Sequence, residues 1–150
     1  MSADKEKIKV LFLCTGNACR SQIAEAWARH LKGNVIEAFS AGISPAFLNQ
    51  TAVEVMAEAG VDISDQKPKH LNDLSSISFD YVITLCDNAR QHCPVPTGKV
   101  KHIHKPFYDP AFMTGTKQEI LAAFRNLRDQ IKNFVQKMPE ILETEPDKQK

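Results

Sequence analysis

The chain has 150 residues, 43% of them hydrophobic and 25% charged, with a formal net charge of +1. That size and composition predict one globular domain, residues 1–150, with a sizeable core, and the absence of a basic tract excludes nucleic acid as the main partner. No apolar run reaches membrane-spanning length, and the run behind the charged start is too short for a signal-peptide core, which excludes a membrane and predicts a cytoplasmic location.

Residues 1–6 read as a frayed polar start. The first strand covers residues 7–14, and its Val10-Leu11-Phe12-Leu13 run is apolar on both faces, as in a central parallel strand. It breaks at Thr15-Gly16-Asn17 and passes into a helix with Ile23, Trp27 and Leu31 one turn apart and Ala24 and Ala28 beside them, ending near Lys32-Gly33. Trp27 reads as core. Residues 35–41 form a second strand closed by Gly42. Residues 49–59 form a helix with Val53, Met56 and Ala57 inward and Gly60 as its stop. Residues 64–73, which carry Pro68, mix loop with a short helix.

A third strand covers residues 79–86, and residues 86–98 have the composition of a mobile loop. A short strand at 100–104 leads to Phe107-Tyr108-Asp109-Pro110. The last helix has the clearest periodicity: Ile120, Phe124, Leu127, Ile131, Phe134 and Met138 alternate steps of four and three, and Pro139 kinks or ends it. Residues 143–150 read as a disordered tail. Strands alternating with helices predict an α/β fold, a four-stranded parallel sheet flanked by helices.

The chemistry centres on Cys14-Thr15-Gly16-Asn17-Ala18-Cys19-Arg20-Ser21. A strand, a tight polar loop and a helix point the N–H groups of the loop and helix start into one small space, which suits a tetrahedral oxyanion. Cys14 stands at the entrance as nucleophile. Arg20 stands at the far end, where its guanidinium grips two oxygens in a fork, and such surroundings favour the thiolate. Ser21 either donates a hydrogen bond to that thiolate or only caps the helix. Cys19 turns its side chain toward sheet or helix and is expected to be dispensable. The competing reading makes Cys14 a strand-end thiol buried for packing.

Four cysteines in a reducing compartment suggest catalysis, redox work or metal rather than a disulfide framework. Cys86 ends the third strand on the same sheet edge as Cys14, and Cys93 follows in the loop. Three thiols so placed would pass a disulfide from Cys14–Cys86 to Cys86–Cys93. Two alternatives stand beside this relay: ordinary thiols, or a metal site using Cys86, Cys93, His92, His102 and His104, with a spacing wider than the usual zinc knuckle. Asp109 is either a turn initiator ahead of Pro110 or the acid that protonates a leaving oxygen.

Together with Ser40-Ala41-Gly42, Thr84-Leu85-Cys86, Cys93-Pro94 and Asp109-Pro110-Ala111, the loop resembles that of the thioredoxin-coupled arsenate reductases, built on the low-molecular-weight tyrosine phosphatase fold. The likeness runs from about Lys7 to Met138. It implies that Thr15, Gly16, Asn17, Ala18, Cys19, Arg20 and Ser21 hold arsenate, with phosphate as a competing oxyanion, while Cys14 attacks and Asp109 protonates the departing hydroxyl. It further implies that Cys86 attacks Cys14 to release arsenite, and that Cys93 then leaves a disulfide for thioredoxin. No organic cofactor or catalytic metal is implied. Several members hold a potassium ion through residues matching Asn17 and Glu25, plus a Thr and an Asp. The last two fall at Lys67 and Lys69, so the Lys69 ammonium is expected to replace the cation. The loop alone also suits a tyrosine phosphatase, or a thiol sensor that binds an oxyanion without turnover, and the Cys86–Cys93 pair is what favours the reductase.

Overall fold

In a computed structural model of the chain, residues 6–91 and 100–147 are described. Four parallel strands, β1 (Ile8–Cys14), β2 (Ile36–Gly42), β3 (Tyr81–Thr84) and β4 (Lys101–His104), form one sheet in the order β2-β1-β3-β4. The helices are α1 (Arg20–Lys32), α2 (Gln50–Glu58), α3 (Asp87–Gln91), α4 (Lys117–Gln136) and α5 (Glu140–Thr144). This is the expected α/β architecture. Among the described residues, no helix is long and apolar enough to cross a membrane.

β1 is the central element because both its faces are buried. Val10, Leu11, Phe12 and Leu13 are wholly excluded from solvent. Strand alternation sends Val10, Phe12 and Cys14 into a core shared with α1, α2 and α4, and Leu11 and Leu13 into a smaller one with Leu71, Phe79 and Ala89. The chain builds β2 on one side of β1 and then crosses to build β3 on the other. The carboxyl end of β1 therefore lies at a switch point of the sheet, where open α/β folds place ligands.

Local chemistry sets the ends of the elements. Asn49 Oδ1 accepts from Ala52 N–H at 2.9 Å and caps α2, while Thr116 and Glu119 form a reciprocal capping box on α4. α4 buries Phe124, Leu127, Ile131 and Phe134, most of the predicted stripe, and Met138 remains buried just past the helix end.

Four expectations need correction. β3 is shorter than residues 79–86: Asp80 exchanges hydrogen bonds with the Lys9 backbone, which leaves Phe79 outside the ladder as a core residue packed edge-to-face on Phe39. α2 turns Ala52, Val55 and Met56 inward and leaves Ala57 exposed. The stretch after Cys86 opens as helix α3 rather than loop, because Cys86 Sγ accepts from Ala89 N–H at 3.4 Å and Ala89 is buried. The tail expected from residue 143 is docked as far as Asp147: Lys101 Nζ donates to the Leu142 and Glu143 carbonyls, and His102 N–H donates to the Asp147 carboxylate.

β2 ends at Gly42, directly beneath the loop that follows β1. A Cβ on Gly42 would lie 2.6 Å from Thr15 O and 2.9 Å from Asn17 N, whereas one on Gly16 would make only ordinary contacts with Ala46 and Ala18. Gly42→Ala should therefore cost about 1–3 kcal/mol by overpacking, and Gly16→Ala under about 1 kcal/mol. Equal urea midpoints for the two variants would show that the loop does not rest on Gly42.

Candidate active site

The loop from Cys14 to Arg20 is shaped from outside. Backbone N–H groups of Ile43, Ser44, Ala46 and Asn49 donate to the carbonyls of Cys14, Thr15, Gly16 and Ala18 at 2.8–3.2 Å. A planar peptide that turns its carbonyl one way turns its N–H the other. The N–H groups of Thr15, Gly16, Asn17 and Cys19 thus face away from that segment. Asn17 makes the necessary turn at φ 50°, a conformation asparagine tolerates better than most residues. The start of α1 adds further donors: Cys19 at its N-cap makes no side-chain capping bond, and no acidic residue occupies the first turn.

Cys14 is buried, and its Sγ lies 2.9 Å from Ser21 Oγ. Asn17 Nδ2 donates to the same Oγ at 2.8 Å, and an amide nitrogen can only donate, so the Ser21 hydroxyl keeps its proton available for a Cys14 thiolate, which cannot itself donate. Asn17 Oδ1 in turn accepts from Lys69 N–H at 2.9 Å and from Gln22 Nε2 at 3.0 Å. A backbone donor fixes which end of the amide is oxygen. Gln22 Oε1 then accepts from Gln66 Nε2 at 2.6 Å, which extends the chain across α1. Ser21 acts on Cys14 as well as standing in the first turn of α1.

Arg20 ties three parts of the fold together. Its Nη1 donates to Leu85 O at 3.4 Å and Phe107 O at 3.1 Å, and its Nη2 pairs with Asp109 Oδ2 at 3.3 Å. The other Asp109 oxygen accepts from Ala111 N–H at 2.9 Å. Both readings of Asp109 therefore hold in geometry: it caps the turn at Pro110 and faces the guanidinium. Cys14, the loop, Arg20 and Asp109 line a cavity of about 370 Å³, walled further out by Ala46, Ala111 and Phe112.

Cys86 stands beside the loop. Its Sγ is 3.3 Å from Thr15 Oγ1, which accepts from Asn88 Nδ2 at 2.9 Å. His104 bridges Thr84 Oγ1 at 2.8 Å and Asp87 Oδ1 at 2.9 Å, and so holds the first residue of α3 against β4. Cys14, Cys19 and Cys86 are free thiols. Burial, reinforced by Asp109 and Cys14, pushes the Cys19 thiol far above the usual thiol range and keeps it neutral, with Arg20 opposing only in part. Cys93 and His92 lie outside the described residues. Among the described residues, no group of three His, Cys, Asp or Glu side chains is placed to hold a metal ion.

Behind the loop, buried Glu25 accepts hydrogen bonds from Ser40 and Arg29. Lys69 Nζ lies 3.6 Å from Glu25 Oε1, 3.5 Å from Ser40 Oγ and 3.4 Å from Lys67 O. The Lys69 ammonium is thus placed among the Glu25, Ser40 and Lys67 oxygens. The surface cleft there, about 680 Å³, is lined by Arg29, Lys67 and Lys69 but equally by Glu25, Asp62 and Asp65.

Sequence reasoning missed Gln22, Gln66, Asn88, His104 as a tether, and the exposed aromatics Phe47, Tyr108 and Phe112, the last of which lines the cavity at 89% exposure. Tyr108 and Phe112 flank Asp109 in a segment already singled out, whereas Gln66, Asn88 and His104 act across at least 17 residues.

With this geometry in hand, comparison with known proteins is informative. A family model described as low molecular weight phosphotyrosine protein phosphatase matches residues 9–148. An arsenate reductase of Bacillus subtilis (strain 168) is 42% identical over 131 residues, spanning 87% of this chain and 94% of that protein. The solved structure of an arsenate reductase in the phosphate binding state superposes with a TM-score of 0.69 at 28% identity, covering 93% of this chain and 99% of the other. A thioredoxin-dependent arsenate reductase from Corynebacterium glutamicum gives 0.64 at 32% identity, covering 89% and 64%. The chain belongs to the low molecular weight phosphotyrosine protein phosphatase family, alongside members that bear the name arsenate reductase.

Proposed function

We propose that this protein reduces arsenate to arsenite, with a three-thiol relay regenerated by thioredoxin. The observation that carries the reading is a second thiol, Cys86, seated against the oxyanion loop through Thr15, where hydrolysis has no use for it. Arsenate lies in the loop with its oxygens on the N–H groups and the Arg20 fork. The Cys14 thiolate attacks arsenic, and the departing hydroxide takes a proton from Asp109 and leaves as water. Cys86 then attacks Cys14 Sγ. The S–As bonding pair goes to arsenic, which leaves as arsenite, and a Cys14–Cys86 disulfide remains. Cys93 attacks Cys86, frees Cys14 and leaves Cys86–Cys93 for a thioredoxin dithiol, the donor named for the Corynebacterium relative.

The wall formed by Ala46, Ala111 and Phe112 supports a second reading, hydrolysis of aryl phosphate esters, since Cys14, Arg20 and Asp109 suffice for it. The thiols decide between them. Cys93→Ser should release about one arsenite per enzyme and accumulate Cys14–Cys86, while Cys86→Ser releases almost none. Non-reducing peptide mapping after one turnover identifies the pair. Full thioredoxin-linked turnover by Cys93→Ser would end the relay mechanism, and arylphosphatase activity without arsenite would favour the hydrolase.

Acid catalysis is tested separately. Asn at position 109 keeps an oxygen for the Ala111 cap but supplies no acidic proton. Asp109→Asn should slow formation of the arsenic–sulfur adduct on the order of a hundredfold, with arsenate affinity changed far less. A near-normal single-turnover rate would leave Asp109 as a turn residue.

Lys69 takes the place of the family's cation in this reading, supplying a fixed charge beside Glu25. A potassium ion does not fit the oxygens that the ammonium already engages. Steady-state rates should be nearly unchanged when potassium is exchanged for sodium at constant ionic strength. Several-fold activation specific to potassium would contradict this, and Lys69→Asp is the variant expected to gain it.

A further inference from the structure

The relay gives Cys86 its task, but what prepares that sulfur lies one residue further out. We propose that Asn88 is a positioning residue for Cys86, acting through the Thr15 hydroxyl; the proposal rests on the reading that Cys86 attacks Cys14. Thr15 Oγ1 sits between Asn88 Nδ2 at 2.9 Å and Cys86 Sγ at 3.3 Å. A hydroxyl has one proton, and with Asn88 Nδ2 donating to its oxygen the Thr15 proton stays available to a Cys86 thiolate, which cannot itself donate. Ala89 N–H approaches the same sulfur at 3.4 Å. Two donors then converge on the Cys86 sulfur, where they meet the charge of the attacking form.

The same device serves the first nucleophile. Asn17 leaves the Ser21 proton to a Cys14 thiolate as Asn88 leaves the Thr15 proton to a Cys86 thiolate. Each attacking sulfur thus faces a hydroxyl that accepts from an asparagine. Asn88 is held for this role by its place in the first turn of α3, where neighbouring Asp87 is anchored to His104. The other charged groups near Cys86 are Arg20, bound to the Leu85 carbonyl, and Arg90, whose backbone N–H donates to Cys86 O. None of these supplies a proton to the sulfur. Without Asn88 the Thr15 hydroxyl is free to rotate its proton away.

The test reads Cys86 directly, apart from arsenate. In a Cys14→Ser, Cys93→Ser background, iodoacetamide alkylation of Cys86 is followed by mass spectrometry at pH 7 and pH 10. Asn88→Ala should slow alkylation about fivefold at pH 7, the worth of one hydrogen bond, and leave the rate at pH 10 unchanged. Thr15→Val should produce a similar loss, and Asn88→Ala should add nothing to it, because both remove one donated proton. An unchanged rate at pH 7, equal slowing at both pH values, or additive losses would each overturn the proposal. Asn88 is exposed, and a thermal midpoint of Asn88→Ala equal to that of the background confines the readout to the sulfur. Failure of the relay itself is seen elsewhere, as absence of Cys14–Cys86 when Cys93→Ser meets arsenate with Asn88 intact.

Discussion

Four hydrogen bonds from residues 43–49 to the carbonyls of the Cys14–Ala18 loop are the constraint on which the site depends. They come from a segment continuous with β2, which is locked to β1 in parallel register through Cys14 and Gly42. The sheet therefore dictates where the loop carbonyls point, and peptide planarity then dictates where the amides point. An anion cradle made this way needs no lysine beside the nucleophile. Among the described residues Arg20 is the one cation lining the cavity, which is consistent with a chain of formal charge +1 that carries no basic tract.

Arg20 also explains why a fork-shaped cation is needed rather than a point charge. Its two terminal nitrogens already bind the end of β3, the segment after β4 and Asp109. A lysine could meet an oxyanion but could not hold these three places in register. Asn17 has the corresponding role at the other end of the loop. It is wholly buried in a left-handed turn, and both ends of its amide are engaged, one on Ser21 and the other on Gln22 and the Lys69 backbone. Cys14 is held by residues spread from 17 to 69, a span that brings the Glu25–Lys69 pair into the same framework as its sulfur.

The parts legible in the sequence were those with local causes. The four-residue apolar run of β1, the Gly-Asn break and the stripe of α4 all announce themselves within a turn or two. What escaped was set by partners far along the chain. Phe79 looks like strand from its neighbours, yet Asp80 bonding to Lys9 starts the ladder two residues later. Five residues rich in turn formers become α3 because a sulfur caps them. Gly42 reads as a strand stop, and its stricter duty, making room for the Thr15 carbonyl, exists only once the loop folds back over it. Asn88 and His104 carry no local pattern, because each bonds across at least 17 residues.

The cysteines show how one fold gives identical side chains different chemistry. Cys14 and Cys19 are both buried, five residues apart, yet of the two it is Cys14 that meets a hydroxyl. Cys19 faces apolar surroundings and the negative neighbours Asp109 and Cys14, so its proton stays on. Cys86 is half-exposed and meets a hydroxyl of its own. Burial alone would rank Cys14 and Cys19 together and set Cys86 apart. A hydroxyl in contact with each sulfur groups Cys14 with Cys86 instead, which is the pairing that the proposed relay requires. Selection among the thiols is thus a matter of hydrogen-bond partners, each bound in turn by an asparagine.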